Sequence, residues 1–349
     1  MKILVAMSGG VDSSVAALLL KQQGHDVTGI TMKLGVKNQD GTVTHLCGTA
    51  VEDAAAVCEF LSIPHIVDDL TELFNETVID CFVDDYVHGR TPNPCVMCNR
   101  HLKFGALAER MKELGFDAIA TGHYARIAQF ETSTVIRRCD DERKDQTYFL
   151  WNLPREVLPS VVFPLSELTK VEIRRIAADA KLPVAHKAES QDICFIPDDY
   201  RRFIETRKGI ARPGYFVSRS GGVYGEHRGI PYYTIGQRRG LGVSAPAPLY
   251  VTGFNIDRNE IILGYKEELR GQALIASHLN FFVDTLPAEL KAKVRYAHTA
   301  APCDVSIDGD TMTVRFRENV DSITAGQSVA IYKDDMLLGG GIIERAIGN

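Results

Sequence analysis

The sequence contains no long hydrophobic segment: none of its apolar runs reaches the roughly 18 residues needed to cross a bilayer. It also shows no secretory leader, because the apolar start from Met1 to Ala6 is too short for one and runs directly into a glycine-rich loop. Internal repeats, low-complexity tracts and long linkers are absent as well. These absences argue against a membrane protein or a repeat protein, and they predict a cytoplasmic location.

An overall positive charge is also lacking. The formal net charge of −6 argues against a protein that is basic throughout and binds nucleic acid over its whole surface. The charge is uneven, however, because residues 198–240 contain nine Lys and Arg against four Asp and Glu. This basic segment is compatible with a polyanion that docks at one place, and equally with an ordinary solvated surface.

The length and the patterning predict several domains. A chain of 349 residues is long for a single core, so two or three domains are expected. Strand patterns near residues 3–7, 27–32, 64–67 and 118–121 alternate with helix patterns near 12–23, 50–61, 104–114 and 172–180. This alternation predicts an α/β fold with a doubly wound parallel sheet over residues 1–197. Residues 198–268 form a small mixed segment, and residues 269–349 alternate like an antiparallel barrel or sandwich.

A loop rich in glycine and serine follows the first strand, with the sequence Ser8-Gly9-Gly10-Val11-Asp12-Ser13-Ser14. Its glycines let the backbone approach a phosphate, while the helix N-terminus and the hydroxyls supply donors. It is not a Walker A loop, because no Gly-Lys-Ser/Thr follows. The spacing resembles the PP-loop of the ATP pyrophosphatases, which split ATP between the α and β phosphates and adenylate a substrate. The alternative is a turn that only links strand to helix.

Two cysteine motifs are the next candidates for chemistry. Permanent disulfides are not expected in a reducing compartment, where a cysteine is usually a buried side chain, a nucleophile or a metal ligand, and the sequence has eight cysteines. Cys95 and Cys98 form a Cys-x-x-Cys pair after two stiffening prolines, which suits a redox pair, half a metal site or chance. Cys194 precedes an apolar pair, and its role depends on what lies beside it.

Several motifs occur together in a fixed order. After the PP-loop the motifs are Thr91-Pro92-Asn93-Pro94 with Cys98-Asn99, Ala120-Thr121-Gly122-His123-Tyr124, Lys144-Asp145-Gln146-Thr147-Tyr148-Phe149-Leu150, Asp192-Ile193-Cys194-Phe195-Ile196, Thr234 to Gly242, Val294-Arg295-Tyr296, and Gly339 to Ile343. With these motifs in this order, the chain resembles the tRNA-specific 2-thiouridylase (MnmA/TrmU) family along essentially its whole length.

The resemblance implies both an architecture and an activity. It implies a PP-loop catalytic domain (1–197), a central tRNA-contacting domain (198–268) and a C-terminal β-barrel (269–349). It also implies ATP-dependent 2-thiolation of the wobble uridine (U34) in tRNAs for Lys, Glu and Gln. The O2 atom would be adenylated first, and sulfur would then displace AMP. The partners would be tRNA and a sulfur donor, which is a cysteine desulfurase, a sulfur relay protein or free sulfide.

The same resemblance implies the site residues. The ATP site would comprise Ala6, Met7, Ser8, Gly9, Gly10, Val11, Asp12, Ser13, Met32 and Gly122. Asp12 would hold the magnesium of the pyrophosphate. The residues that contact tRNA would be Asn93, Pro94, Cys95, His123, Lys144, Asp145, Gln146, Arg295, Tyr296 and Gln327. Cys194 would carry a persulfide, and either its terminal sulfur would attack the adenylated carbon or Cys98 would release hydrosulfide by attacking the persulfide. In both cases Cys98 and Cys194 would end as a transient disulfide.

Position 95 departs from the family's usual pattern, which has an Asp there that is proposed as a general acid/base. A cysteine cannot inherit that role directly, because its ordinary pKa of about 8.5 is far from the value of about 3.9 for Asp. Cys95, Cys98 and Cys194 could together hold a [4Fe–4S] cluster whose open iron carries hydrosulfide. The substitution adds the third ligand and removes the acid, which favours the cluster. The metal-free persulfide route stays open, as does a role for Cys95 as a resolving thiol.

Two rival functions also stay open at this point. A PP-loop ligase for a small molecule, such as argininosuccinate synthetase, shares the Ser-Gly-Gly-x-Asp-Ser loop but needs neither Cys98 nor Cys194. An RNA-binding protein whose loop only senses ATP would bind tRNA without releasing AMP. Dependence of ATP turnover on tRNA separates both rivals from the thiolation enzyme.

Overall fold

The computed structural model describes residues 1–38, 40–46, 49–188, 193–196 and 198–347. Cys47, the part of the Cys194 motif at residues 190–192 and the predicted domain boundary at residue 197 lie outside the described residues. None of the helices in the described ranges is both long and apolar enough to cross a membrane.

The first part of the chain forms the expected parallel sheet. Its strand order is β5-β2-β1-β6-β9, and every pair in it is parallel. Ile3 and Val5 belong to one buried cluster and Leu4 to another, so both faces of the central strand are covered, as the sequence predicts. The strands before residue 170, including a short hairpin of β3 and β4, are β1 (Lys2–Ala6), β2 (Asp26–Lys33), β3 (Gly35–Lys37), β4 (Val43–His45), β5 (His65–Asp69), β6 (Ala118–Ala120), β7 (Arg126–Phe130), β8 (Ser133–Arg137) and β9 (Val161–Val162).

Helices cover this sheet. They are α1 (Val11–Gln22), α2 (Ala50–Phe60), α3 (Thr71–Phe74), α4 (Asp80–Val87), α5 (Pro94–Cys98), α6 (Leu107–Glu113) and α7 (Lys170–Asp179), with π-helical turns at Asn75–Ile79 and Asn99–Ala106 and 3-10 turns at Thr147–Phe149 and Arg155–Ser160. The helix predicted for residues 104–114 is confirmed: the π-helical turn extends to Ala106, and α6 continues it from Leu107 to Glu113. The wide π-helical turn brings Gly105 against the Arg100 carbonyl, where a Cβ would lie 2.8 Å from the oxygen.

The middle of the chain folds as a helix and a small mixed sheet. These elements are α8 (Tyr200–Lys208), β10 (Gly214–Ser218), β11 (Val223–His227), β12 (Tyr250–Asn255) and β13 (Glu260–Gly264), with 3-10 turns at Ile230–Tyr232 and Lys266–Leu269. The sheet order is β11-β10-β13-β12, and β10 runs parallel to β13. Tyr232 and Tyr233 are buried in its core.

The last part of the chain forms a closed six-stranded antiparallel barrel. Its order is β14-β17-β16-β15-β18-β19, and pairing of β14 with β19 closes it. The strands are β14 (Arg270–Phe281), β15 (Leu290–Lys293), β16 (Ala301–Asp308), β17 (Thr311–Asp321), β18 (Ser328–Lys333) and β19 (Met336–Ile347). The hairpin β7–β8, which lies far earlier in the sequence, extends this sheet by pairing β8 with β19. The barrel confirms the predicted fold class, whereas the added hairpin was not predicted.

A shared core joins the barrel to the parallel sheet. One buried cluster includes Leu4 and Phe104 beside the sheet together with Val329 and Leu337 of the barrel. Trp151 lies fully buried in the same cluster, and Asn280 of β14 donates to its carbonyl at 2.9 Å. Burial of this kind ties the two parts mainly through the hydrophobic effect.

Tyr148 supplies a polar connection inside this shared core. Its buried hydroxyl lies 3.2 Å from the Val294 carbonyl and 3.0 Å from the Ser328 carbonyl. We expect Tyr148→Phe to lower the free energy of unfolding by about 1–2 kcal/mol, because the two buried carbonyls lose the single hydroxyl hydrogen that they share. Urea unfolding followed by the fluorescence of Trp151, the single tryptophan, measures the change. Tyr215→Phe is the matched control, since Tyr215 is 51% exposed. An equal loss in both variants would contradict the assignment.

Candidate active site

The loop between β1 and α1 is shaped by close packing. Gly9 adopts a φ of +67°, and a Cβ at this position would lie 2.4 Å from the Ala50 carbonyl oxygen. The Ser8 backbone N–H donates to Ser13 Oγ at 3.2 Å, and the two hydroxyl oxygens lie 3.1 Å apart. Ser14 Oγ donates to the Gly10 carbonyl at 2.8 Å. The loop is therefore preformed, with serine hydroxyls clustered at the start of α1, as a phosphate site requires.

Asp12 in the first turn of α1 is held by two side chains from distant parts of the chain. Lys170 Nζ lies 2.7 and 2.9 Å from its two carboxylate oxygens, and the Tyr124 hydroxyl donates to Oδ1 at 2.9 Å. Lys170 begins α7, whose start is fixed by a capping box between Thr169 and Glu172. This lysine places a positive charge beside the loop and was not identified from the sequence. The capping pattern from Thr169 to Glu172, which marks the start of α7, was the sequence signal that could have pointed to Lys170.

A cavity of about 470 Å³ connects this loop to the cysteines. It opens at the carboxyl ends of β1, β2 and β6. The predicted site residues that line it are Ala6, Met7, Ser8, Asp12, Ser13, Met32, Pro94, Cys95, Cys98, Gly122, His123, Gln146 and Cys194. Residues from six separate segments of the chain thus meet in one place.

The short helix α5 sets the positions of two of the cysteines. Pro94 is its first residue, and Cys95 and Cys98, three residues apart, lie on the same side of the helix. Cys194 comes from a turn in which the Ile196 N–H donates to the Ile193 carbonyl at 3.0 Å. The buried ring of Phe195 anchors this turn, because it packs edge-on against Phe82 with ring centroids 5.2 Å apart. All seven described cysteines are free thiols.

The cavity disfavours thiolates at all three cysteines. Burial raises the pKa of Cys95 and Cys98, and it raises the pKa of Cys194 to about 12, where the neighbouring Cys98 and Cys95 add to the effect. Cys95 and Cys194 are open to water in the cleft, yet the surrounding protein atoms displace much of their hydration. The resting cysteines are therefore neutral thiols, which protects them from unproductive reaction.

Lys103 opposes this effect and was also not identified from the sequence. It lines the cavity one turn beyond Cys98, and its positive charge lowers the pKa of each of the three thiols. Its ammonium lies 3.5 Å from His123 Nε2, and His123 Nδ1 lies 2.7 Å from Thr121 Oγ1. Burial, reinforced by Lys103, holds the pKa of His123 well below its ordinary value. His123 is therefore neutral, and it is Lys103 whose positive charge acts on the three thiols.

The cavity residues differ in how well they suit an iron–sulfur cluster and a magnesium ion. Within the described ranges, no three His, Cys, Asp or Glu side chains are arranged to hold a metal ion, so Cys95, Cys98 and Cys194 do not form a ready ligand set for a cluster. A magnesium ion bound mainly by phosphate oxygens needs only one or two protein carboxylates. Asp12 fits that requirement, because it lines the cavity beside the serine-rich loop.

The residues expected to contact tRNA fall into two groups. Pro94, Cys95, His123 and Gln146 line the cavity, whereas Tyr296, at 40% exposed, lies outside it and packs on Phe149 with ring centroids 4.7 Å apart. The others that are not among its lining residues are Asn93, Lys144, Asp145, Arg295 and Gln327. Asp145 is buried, and its carboxylate accepts from Thr147 Oγ1 at 2.9 Å. Its contact with tRNA stays a prediction.

The neutral state of Cys194 predicts a particular pH dependence. In protein without tRNA, we expect alkylation of Cys194 by iodoacetamide to accelerate about tenfold per pH unit from pH 8 to 10, because only the thiolate reacts and the pKa lies near 12. Lys103→Gln should slow the reaction further by removing the opposing charge. Mass spectrometry of the modified peptide measures the rate, with N-acetylcysteine as the control. A plateau below pH 9, or no effect of Lys103→Gln, would contradict this account.

Comparison with known protein families finds a match for each of the three parts of the chain. A family model described as the tRNA methyl transferase HUP domain matches residues 1–198. A tRNA methyl transferase PRC-barrel domain matches residues 201–265, and an aminomethyltransferase beta-barrel domain matches residues 271–343.

Curated relatives match the chain over nearly its whole length. The tRNA-specific 2-thiouridylase MnmA 1 of Syntrophus aciditrophicus is 47% identical over 99% of this chain and 93% of its own length. The tRNA-specific 2-thiouridylase MnmA of Geobacter metallireducens is 46% identical over 99% of this chain and 97% of its own length. The tRNA-specific 2-thiouridylase MnmA 2 of Clostridium botulinum is 44% identical and covers 99% of both chains.

Proposed function

The chain belongs to the tRNA-specific 2-thiouridylase family, and we propose that its substrate is the wobble uridine of tRNAs for Lys, Glu and Gln. It is a tRNA sulfurtransferase that uses ATP. The proposal is carried by one observation: a single cavity contains both the serine-rich loop after β1 and the thiols of Cys98 and Cys194. A small-molecule ligase or an ATP sensor would not need these thiols beside the nucleotide loop.

The first step proposed for this cavity is adenylation of the base. The uridine O2 attacks the α-phosphorus of ATP, a new O–P bond forms, and the bond to the β-phosphate breaks to release pyrophosphate. This turns a poor leaving group into AMP. The loop from Ser8 to Ser13 borders the cavity where the phosphates would bind, and Lys170, paired with Asp12, adds positive charge beside the loop. Asp12 would hold magnesium, which when bound spreads the charge on the departing pyrophosphate.

The second step proposed is sulfur transfer. A persulfide on Cys194 attacks C2 through its terminal sulfur, and the C–O bond to AMP breaks. The Cys98 thiolate then attacks the Cys194 sulfur, so that the sulfur stays on the base and a Cys98–Cys194 disulfide forms. Two electrons pass from the cysteines to the transferred sulfur, and an external thiol must reduce the disulfide before the next cycle. Lys103 stabilises the thiolates that form during this exchange.

Cys95 is assigned no metal in this mechanism. Cys95, Cys98 and Cys194 lack a ready ligand arrangement in the described structure, and the two steps above need no iron–sulfur cluster. Cys95 lines the cavity beside Cys98, which supports a role as an additional resolving thiol. We further propose that tRNA is modified in the cytoplasm and that a cysteine desulfurase or relay protein supplies the persulfide.

We also propose that the three parts of the chain act as domains with separate roles. Residues 1–197 would carry the catalytic cavity, 198–268 would contact tRNA, and 269–349 would form the barrel that supports both. The basic character of residues 198–240 supports phosphate contacts there, through Arg201, Arg202 and the segment from Gln237 to Arg239.

A direct assay tests this function. Iron-free protein is incubated anaerobically with ATP, magnesium, unmodified tRNA and a persulfide donor, beside protein reconstituted with iron and sulfide. We expect 2-thiouridine at the wobble position in both samples, detected by nucleoside mass spectrometry, and a loss of more than about 10³-fold in Cys98→Ser, because it lacks the attacking thiol. Product only after reconstitution would overturn the metal-free route. No product in either sample would overturn the proposed function.

Substitution of Cys95 separates its candidate roles. We expect Cys95→Asp, which restores the residue usual in the family, to bind no iron and to thiolate tRNA at least as fast as the unmodified enzyme, because a carboxylate can act as the acid/base. Cys95→Ser is the matched control that removes the thiol without adding a carboxylate. Initial rates and iron content are measured together. Inactive Cys95→Asp protein that has also lost bound iron would identify Cys95 as a cluster ligand.

A further inference from the structure

The segment that leads into α5 cannot supply hydrogen-bond donors for its own backbone carbonyls. Pro92 and Pro94 have no N–H, so few local donors are available to the carbonyls of Thr91 and Pro92. Both carbonyls accept hydrogen bonds from the side-chain amide of Gln327, at 3.0 and 3.1 Å. The Thr91 N–H in turn donates to the Ala325 carbonyl at 2.8 Å. The chain immediately before Cys95 is therefore held by the barrel.

The barrel loop at residues 322–327 is built for this close contact. Gly326 has a φ of +87°, and a Cβ there would lie 2.8 Å from the Thr91 nitrogen and 2.9 Å from the Thr91 oxygen. Only glycine allows the two backbones to approach so closely. Arg90 adds an ion pair with Glu344 of β19 at 2.7 Å, beside the same contact.

The other side of this loop reaches the central segment. Arg295 Nη2 donates to Thr324 Oγ1 at 2.6 Å and to the Ile235 carbonyl at 3.2 Å. The Gln327 N–H donates to the Thr324 carbonyl at 3.2 Å. A continuous set of hydrogen bonds thus runs from the central segment through Arg295 and the barrel loop to the start of the cysteine helix.

We propose that Gln327 is a positioning residue that fixes α5, and with it Cys95 and Cys98, against the barrel. The inference deepens the proposed function and rests on it for the role of the two cysteines. The family resemblance assigned Gln327 to tRNA contact. Its amide nitrogen has two hydrogens, however, and both are directed at the Thr91 and Pro92 carbonyls. A tRNA phosphate could bind this nitrogen only by displacing the catalytic segment.

Hydrogen–deuterium exchange of the protein without tRNA tests the inference. Gln327→Leu removes the donor, and Gln327→Glu keeps the shape but offers a carboxylate that cannot donate when ionised. In both variants we expect exchange of the amides in residues 95–99 to accelerate about tenfold. Gln272→Leu is the matched control, since Gln272 is exposed on the same barrel. Unchanged exchange at residues 95–99, or equal acceleration throughout the barrel, would overturn the inference.

Kinetics separate positioning from tRNA contact. A positioning role predicts that kcat falls about tenfold while KM for tRNA changes little, because the cysteines are misplaced in the bound complex. A residue that only contacts tRNA would raise KM and leave exchange in the free protein unchanged. If unmodified protein forms no 2-thiouridine, the proposed function fails. The exchange experiment still decides whether Gln327 holds the helix.

Discussion

The arrangement of the site depends on one feature of the parallel sheet: the carboxyl ends of β1, β2 and β6 open at the same edge. Neighbouring parallel strands point the same way, so the loops that follow them must meet at that edge. Met7 and Ser8 follow β1, Met32 lies at the end of β2, and Gly122 follows β6. All four line the cavity. The nucleotide loop is therefore part of a shared chamber and not an isolated phosphate site.

Electrostatics divide this chamber into two regions. Lys170 faces Asp12 near the serine-rich loop, where phosphates would gather, and Lys103 faces the cysteines. Burial raises the pKa of the thiols, while Lys103 lowers it, so the resting site holds neutral sulfur beside a cation that can stabilise thiolate when it forms. This balance suits an enzyme that must keep thiols unreactive until an activated base arrives.

The three parts of the chain are connected more closely than their order in the sequence indicates. The hairpin β7–β8 extends the barrel sheet, and Trp151 lies in a core shared by sheet and barrel. Gln327 and Arg295 connect the barrel to the cysteine segment and to the central segment. The barrel is therefore a structural support of the active site as well as a terminal domain.

Much of the fold followed from the sequence because its determinants are local. The β/α alternation, the glycine turn after β1 and the alternating pattern of the last 80 or so residues each depend on neighbouring residues, and the structure confirms the parallel sheet and the barrel. The motifs also indicated the family, because their order along the chain is itself a property of the sequence. Lys103, Lys170 and the Gln327 contact could not be obtained in this way. The contacts of Lys170 with Asp12 and of Gln327 with Thr91 span 158 and 236 positions of the chain, and Lys103 acts on Cys194 from 91 positions away. Only the folded chain brings such residues together, since their side chains have no local pattern that marks the partner.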